Sequence, residues 1–562
     1  MKEQLNFPHY LTYFLHWEKV QPNRVFLQQS KNKKWIKITY KEAGLQMRKI
    51  AQYLLKSEIR SGDRVGILSK NCPEWIITDL AISYIKAISV PYYPNLNKEG
   101  LQEVLEMCEV KALFIGKIET WKTIKEVIPK DFKIISFTSY AQHDTIDQGV
   151  RWEYILATYT PYYDVDFLAD PEAIWTILFT SGTTGKPKGA ILTNNNLNEI
   201  LNIEQKYEQF NLKKRYGKKT YFFSILPLNH IGERTVGQIV LLLIGGTVCF
   251  SETLETLNQD MKKIQPHVMF SVPHLWTKFQ MGVLQKLPQK KLDRFLKIPL
   301  LSYYIKRKIR LKLGLNRLIF SFTAAAPTSP ELKSWYLKIG IKLREGYGMT
   351  ETSGANVTMP IDEFKVGSVG KVLPHVQLKI AHQTNEILIH GPMVMKGYYG
   401  EPQKTSQVIK DGWMHTGDIG HLDEDAYLFV EGRISDSFKT AKGKYIIPAP
   451  IEWKFQNADV LEHLIVVGLG ASQPLVLVQL SDMAKSKHVT DVNHYIEQQI
   501  KKVNQGLMNY QKIAKAIIID TPWNIENNFL TPTMKLKRRM VDATYKDYYE
   551  LWNQESKSII WV

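Results

Sequence analysis

The sequence predicts an α/β fold, with a large N-terminal domain of layered, mostly parallel β-sheets and helices and a small α+β C-terminal domain. Three observations lead there. At 562 residues the chain exceeds what one hydrophobic core usually serves, so two or more domains are expected. Short apolar runs alternate with longer amphipathic segments, as in RVGIL from Arg64, ALFIG from Ala112 and TVCFS from Thr247, which is the pattern of strands joined by helices. After about Arg433 the chain changes to KYIIPAPIE, LIVVGLG, PLVLVQL and AIIID with helical stretches between them, roughly the length of one small domain. The loop between Glu431 and Ser435 is the boundary, giving domains 1–433 and 434–562.

Thr176 to Thr193, TILFTSGTTGKPKGAILT, is an apolar strand that empties into a loop of Gly, Ser and Thr closed by Lys186 and Lys188. Such a loop offers backbone N–H groups, the hydroxyls of Thr180, Ser181, Thr183 and Thr184, close backbone approach at Gly182 and Gly185, and counter-charge for phosphate oxygens. Taken alone it reads equally as a surface turn. It lacks the GxxxxGK[ST] spacing, since Pro187 follows Gly185-Lys186, so an ordinary P-loop kinase or GTPase is disfavoured.

Composition narrows the remaining classes. Hydrophobic residues at 44% and charged residues at 23% suit a soluble globular chain with a large core. Cys72, Cys108 and Cys249 are too few and too scattered for a disulfide framework or a metal site, which points to a reducing compartment and a cytoplasmic location. The N-terminus has no basic region leading into an apolar one, and Thr235 to Phe250, broken by Gly237, Gly245 and Gly246, reads as buried core. The net charge of +18 concentrates between Gln285 and Arg317, where eleven Lys and Arg residues face one acid, Asp293. That segment reads either as a solvated helix face or as a surface for an anionic membrane, a peripheral position on its inner face. No zinc-finger spacing or RNA-binding aromatic pattern accompanies the charge, so no nucleic-acid partner is expected.

Arg344 to Gly354, REGYGMTETSG, sets Gly346 and Gly348 around Tyr347, whose ring can stack on a flat base, and follows them with Thr350, a donor to a phosphate or carboxylate oxygen, and Glu351, a hard-cation ligand. Further on, DGWMHTGDIG places Asp418 between glycines, suited to accepting hydrogen bonds from ribose hydroxyls, and EGR offers Arg433. Each fragment also reads as ordinary turn chemistry.

In this order, SGTTGKPKG, LPLNHIGER from Leu226, VPHLW, AAAPTSPEL, YGMTE, GWMHTGDIG, EGRISD and LTPTMKLKR from Leu530 resemble the adenylate-forming superfamily of AMP-dependent synthetases. The resemblance covers nearly the whole chain, and LPLNHIGER, KYIIPAPIE and LTPTMKLKR look most like the long-chain fatty acid CoA ligase branch. It implies ATP-dependent activation of a medium- or long-chain fatty acid to acyl-AMP and pyrophosphate, then transfer to coenzyme A. Alternatives within its reach are transfer to a carrier protein and a non-catalytic nucleotide-binding role.

The resemblance also implies residue roles. The 180–188 loop would take the β- and γ-phosphates, Glu351 would hold Mg²⁺ with Thr180 as helper, and Thr350 would meet the α-phosphate. Tyr347 and the backbone around Ala325 would sandwich adenine, and Asp418 and Arg433 would hold ribose. Lys535 would be the catalytic lysine of a mobile small domain, and His230 would line the acyl entrance or orient the carboxylate, with Glu233 and Arg234 beside it as a structural ion pair. Ser435 occupies the hinge position where Asp or Lys is commoner, Ala324 stands where glycine is frequent, and His274 stands where arginine is common.

Overall fold

The computed structural model describes residues 9–163, 169–181, 187–207, 215–326, 328–361, 363–455, 460–486, 488–531 and 535–562. The chain divides into two compact units, one of Met1–Ala326, Lys333–Leu378 and Ile389–His415, the other of Pro327–Leu332, Lys379–Leu388 and Thr416–Val562.

The α/β expectation is met in the first unit by two large sheets. One runs in the order Lys371–Val372, Gly354–Thr358, Leu343–Met349, Phe320–Thr323, Val268–Ser271, Tyr221–Ser224, Thr247–Phe250, Val25–Lys31 and Lys34–Thr39. Its centre is parallel, from Val25–Lys31 through Leu343–Met349, and both edges are antiparallel. The other places Gly397–Tyr398, Pro187–Thr193, Ile174–Ser181, Ile88–Tyr92, Arg64–Ser69, Ala112–Gly116, Lys133–Ser136 and Val150–Arg151 side by side.

Both faces of this second sheet are covered, which is why its strands read as unbroken apolar runs. Along Ala112–Gly116, Ala112 and Phe114 pack into one core cluster while Leu113 and Ile115 pack into another. The helix Pro73–Tyr84 is buried at every position. A helix apolar on nearly all sides belongs inside, and Asp79 at its centre therefore needs partners.

The second unit contains a four-stranded sheet, Leu461–Val467, Leu475–Leu480, Ala516–Ile518 and Ile559–Trp561. PLVLVQL again explains itself by alternation. Val476 and Val478 face one cluster, with Ile496 and Val503 of the helix Val489–Asn504, while Leu475 and Leu477 face another with Trp523 and Trp552.

The Thr235–Phe250 segment is buried, as expected, as a wide π-type helical stretch over Arg234–Val240 followed by the strand Thr247–Phe250. The three cysteines are free and buried. No helix among the described residues is long and apolar enough to cross a membrane.

Candidate active site

The first unit gathers several of the sequence-derived residues around one mostly apolar cavity of about 100 Å³. It lies where the central strands of the nine-stranded sheet end. Phe270, Phe322, Ala324, Ala325, Gly346 and His230 border it, with Gly348 and Thr350. A cavity of this size is below the ~300 Å³ at which pockets for whole small molecules begin, so it suits one end of a long ligand.

Tight packing dictates the two glycines of REGYGMTETSG. A Cβ on Gly346 would run into the Phe322 ring, and one on Gly348 into the carbonyl oxygen of Gly354 on the neighbouring strand. Gly348→Ala is expected to destabilise the protein by about 1–3 kcal/mol, because the obstacle is backbone and cannot rotate away. Thermal denaturation reads that loss, and a raised KM for nucleotide should accompany it. Ala325, two residues beyond the strand Phe320–Thr323, holds φ +68°, a left-handed conformation that costs an alanine roughly 1–2 kcal/mol. Strain of that kind concentrates at functional sites.

Thr350 and Glu351 form a single 3₁₀ turn after the strand Leu343–Met349. Glu351 is buried, and its Oε1 accepts a 2.8 Å hydrogen bond from the Tyr398 hydroxyl. The Lys188 ammonium lies 5.1 Å from the centre of the same Tyr398 ring. Thr180 sits opposite Lys188 in the antiparallel pair of strands, and Tyr398 opposite Ala190 on the other side of Pro187–Thr193. The fold thus brings Thr180, Lys188 and Glu351 to one place, with Tyr398 as a bridge that no sequence motif marked. The signal available was GYYG from Gly397, a glycine-flanked aromatic pair. Gly182, Thr183, Thr184 and Gly185 lie outside the described residues, as does the side chain of Ser181.

Among the described residues no three His, Cys, Asp or Glu gather as a metal cluster. For a divalent cation, Glu351 is the buried carboxylate that the described residues set beside Tyr398 and Lys188. Mg²⁺ fits so sparse a site, since it retains several waters and is usually held by one or two carboxylates plus substrate phosphates.

His230 caps the short helix Ile231–Glu233, its Nδ1 accepting from the Gly232 N–H at 3.2 Å, which assigns the proton to Nε2. The expected Glu233–Arg234 ion pair does not form. Arg234 pairs with Asp79 in full burial, donates to Thr176 Oγ1 at 2.7 Å, and stacks 4.0 Å from the Trp175 ring centre. Gln238 and Tyr10 also donate to Asp79, at 2.7 and 3.1 Å. Glu233 instead accepts from Ser224 Oγ at 2.6 Å and from the Ile225 N–H at 3.0 Å, and burial pushes its carboxyl up to about 8. Glu204, buried on the helix Asn194–Tyr207, is a further carboxyl beside the cavity that no motif marked.

Burial lowers His9, His230 and His267 to about 4. Each takes up a proton on unfolding, so its contribution is present above pH 6.5 and lost as the pH falls toward 4. Glu233 acts oppositely, its burial costing stability as pH rises from about 4.5 to 8. Among the groups shifted furthest, three histidines oppose one carboxyl between these limits. The expected outcome is a net uptake of up to about two protons on unfolding near pH 5.5, or up to about 2.7 kcal/mol per pH unit, read from urea denaturation across a pH series.

The second unit holds the other group. Asp418 and Arg433 face each other across the strands Trp413–Leu422 and Leu428–Arg433, and the Arg433 Nε donates to Asp418 Oδ1 at 2.8 Å. Gly417, just before Asp418 in the same strand, holds a left-handed φ of +72°. At Lys535 the chain lies back against Leu530 and Thr531: Leu530 bridges Leu536, and the Lys535 N–H donates to Thr531 Oγ1 at 3.0 Å. Desolvation by the surrounding chain, then the like charge of Arg433, lower the Lys535 ammonium from its ordinary value, against the opposing pull of Asp436 and Asp418. Ser435 is exposed in the 3₁₀ turn Ile434–Asp436, its Oγ 3.3 Å from Asp436 Oδ1.

Comparison with known proteins identifies the family. The family described as AMP-binding enzyme matches residues 14–399, and the AMP-binding enzyme C-terminal domain matches 436–552. A long-chain-fatty-acid–CoA ligase, FadD15 of Mycobacterium bovis, is 28% identical over 96% of this chain and 96% of its own. The peroxisomal long chain acyl-CoA synthetase 6 of Arabidopsis thaliana is 29% identical over 90% of this chain and 79% of its own. Among solved structures, the adenylation domain of a carboxylate reductase from Mycobacterium chelonae superposes with a TM-score of 0.79 at 19% identity, covering 97% of this chain and 91% of that one.

Proposed function

The chain belongs to the AMP-binding enzyme family, and from that premise we propose that it is an ATP-dependent fatty acid:CoA ligase. It activates a medium- or long-chain fatty acid to acyl-AMP and pyrophosphate, then passes the acyl group to coenzyme A. The observation that carries this reading is the convergence of Lys188 and Glu351 on Tyr398, with Thr180 paired to Lys188 across the strands, in a chain similar over 96% of its length to a long-chain-fatty-acid–CoA ligase.

A fatty acid carboxylate is a stabilised anion that resists attack by a thiol. Made the nucleophile on the α-phosphorus of ATP, it becomes a mixed anhydride, but two anions must first meet. Positioned positive charge offsets their repulsion, and such electrostatic stabilisation usually contributes more than any other effect to catalysis of this kind. Mg²⁺, when bound, would supply part of that charge, held by Glu351 with Thr180. Lys188 and the 180–188 loop would hold the β- and γ-phosphates, and Thr350 would donate to the α-phosphate. Tyr398, by donating to Glu351, keeps that carboxylate oriented. Tyr347 and Ala325 would enclose adenine, Asp418 and Arg433 would meet ribose, and neutral His230 would line the route of the acid.

Lys535 would bridge carboxylate and α-phosphate in the first half-reaction and leave for the second. We divide the chain functionally into 1–433 and 434–562 with Ser435 as pivot, a reading supported by the C-terminal family match beginning at 436. Three buried free cysteines are consistent with a reducing, cytoplasmic location. Since fatty acids partition into bilayers, the basic segment 285–317 would bring the chain to an anionic membrane surface.

The test is pyrophosphate release with Mg·ATP across carboxylates from acetate to oleate, with and without CoA. Repeated turnover with a medium or long acid only when CoA is present supports the ligase. Release of one equivalent despite CoA favours a carrier-protein acceptor, and no release with any acid overturns the reading.

A further inference from the structure

The helix Pro299–Leu313, PLLSYYIKRKIRLKL, contains no acidic residue and turns two different faces outward and inward. Ser302, Ile309 and Leu313 are its buried positions. At 100° per residue, Leu300, Tyr303, Tyr304, Arg307 and Leu311 fall on one stripe about 100° wide, diametrically opposite that buried face. The side chains of the stripe are bare: Leu300 is 88% exposed, Tyr303 68%, Tyr304 57% and Leu311 41%. Lys308 and Lys312 flank the stripe on one side, Lys306 and Arg310 on the other. The Lys308 ammonium lies 5.5 Å from the Tyr304 ring centre, so its stem follows the apolar edge while its head stays polar. The preceding helix Gln289–Leu296 adds exposed Lys290, Lys291 and Arg294, and its one acid, Asp293, is paired with Lys338 at 3.2 Å.

We propose that this helix docks on an anionic lipid bilayer, with Leu300, Tyr303, Tyr304 and Leu311 entering the interfacial layer and the exposed Arg307, Lys308 and Lys312 meeting lipid phosphates. Water leaves the stripe unburied, and a polyanion such as nucleic acid would use the charges but not the leucines. An anionic bilayer surface satisfies both, because aromatic and aliphatic side chains partition into it while its headgroups attract the cations. The docking deepens the reading of a fatty acid ligase by naming the surface that meets the membrane, yet vesicle binding requires no turnover, so the two stand or fall separately.

The test is co-sedimentation of the full chain with phosphatidylcholine vesicles, with and without phosphatidylglycerol. The wild-type chain is expected to bind the anionic vesicles at low salt and to leave them as salt rises. The combined variant Leu300→Ser, Tyr303→Ser, Tyr304→Ser should bind them about tenfold more weakly while its pyrophosphate release with detergent-dispersed acid is unchanged. A second measurement uses the burial of all three native cysteines: Leu300→Cys, labelled with an environment-sensitive dye, should shift its emission to the blue on anionic vesicles. Undiminished binding of the triple variant, no binding of the wild type at low salt, or vesicle binding without a dye shift each overturns the proposal. An inactive ligase that still docks through this helix would overturn the function and leave the docking intact.

Discussion

Replacing Lys535 with alanine is expected to slow acyl-AMP formation by roughly 10²- to 10³-fold, the usual effect of removing one group that meets developing charge at a transition state. The second half-reaction, acyl transfer from supplied acyl-AMP to CoA, should retain most of its rate, since the ammonium is required only while the carboxylate attacks phosphorus. That split separates a catalytic lysine from a structural one, which would depress both steps together. Lys535 itself is held by backbone contacts, Thr531 N–H to the Lys535 carbonyl and Leu530 to Leu536 beside it, so the side-chain change leaves them in place. A second readout is pH. The ammonium titrates below its ordinary value, so the adenylation rate should fall on the alkaline side as that proton is lost, and the fall should be absent from the residual activity of Lys535→Ala. Full pyrophosphate release by the variant would remove Lys535 from the mechanism.

The largest stability effect is expected at Asp79. Removing its carboxylate leaves the Arg234 guanidinium charged, fully buried and without its counter-ion, which typically costs about 3–5 kcal/mol. Asp79→Leu should therefore lower the midpoint of thermal denaturation far more than an ordinary leucine substitution on a buried helix. The double variant Asp79→Leu, Arg234→Met should recover a large part of the loss, because no stranded charge remains. Equal destabilisation by the single and double variants would show that packing, not charge, sets the cost. The same pair bears on function, since Arg234 begins the helical stretch whose Thr235 and Val236 wall the cavity. Asp79→Leu should thus raise KM for the fatty acid at temperatures where the protein remains folded.

Much of the architecture was legible in local pattern. Apolar runs such as ALFIG and PLVLVQL became central strands because both of their faces are covered, so no polar alternation was required of them. Strand order was not legible. Val25–Lys31 lies beside Thr247–Phe250 through pairing that no short-range signal encodes. Glu351 and Thr350 stood out because a glycine-flanked aromatic precedes them in a few residues of chain. Tyr398, which touches both Glu351 and Lys188, lies far away in sequence and became visible only when the strand Pro187–Thr193 brought its neighbours together.

The Glu233–Arg234 expectation shows where local reading fails. Adjacent residues on a helix point about 100° apart, so sequence neighbours of opposite charge do not face each other. Glu233 turned to Ser224 and Arg234 to Asp79. The sequence by itself determined the α/β class, the Gly- and Thr-rich loops and the kind of chemistry they serve, because turn geometry and apolar periodicity act over a few residues. Only the tertiary structure decided which carboxylate meets which cation and which helix face stays bare. Both depend on distance through space and on exclusion of water, and separation along the chain specifies neither.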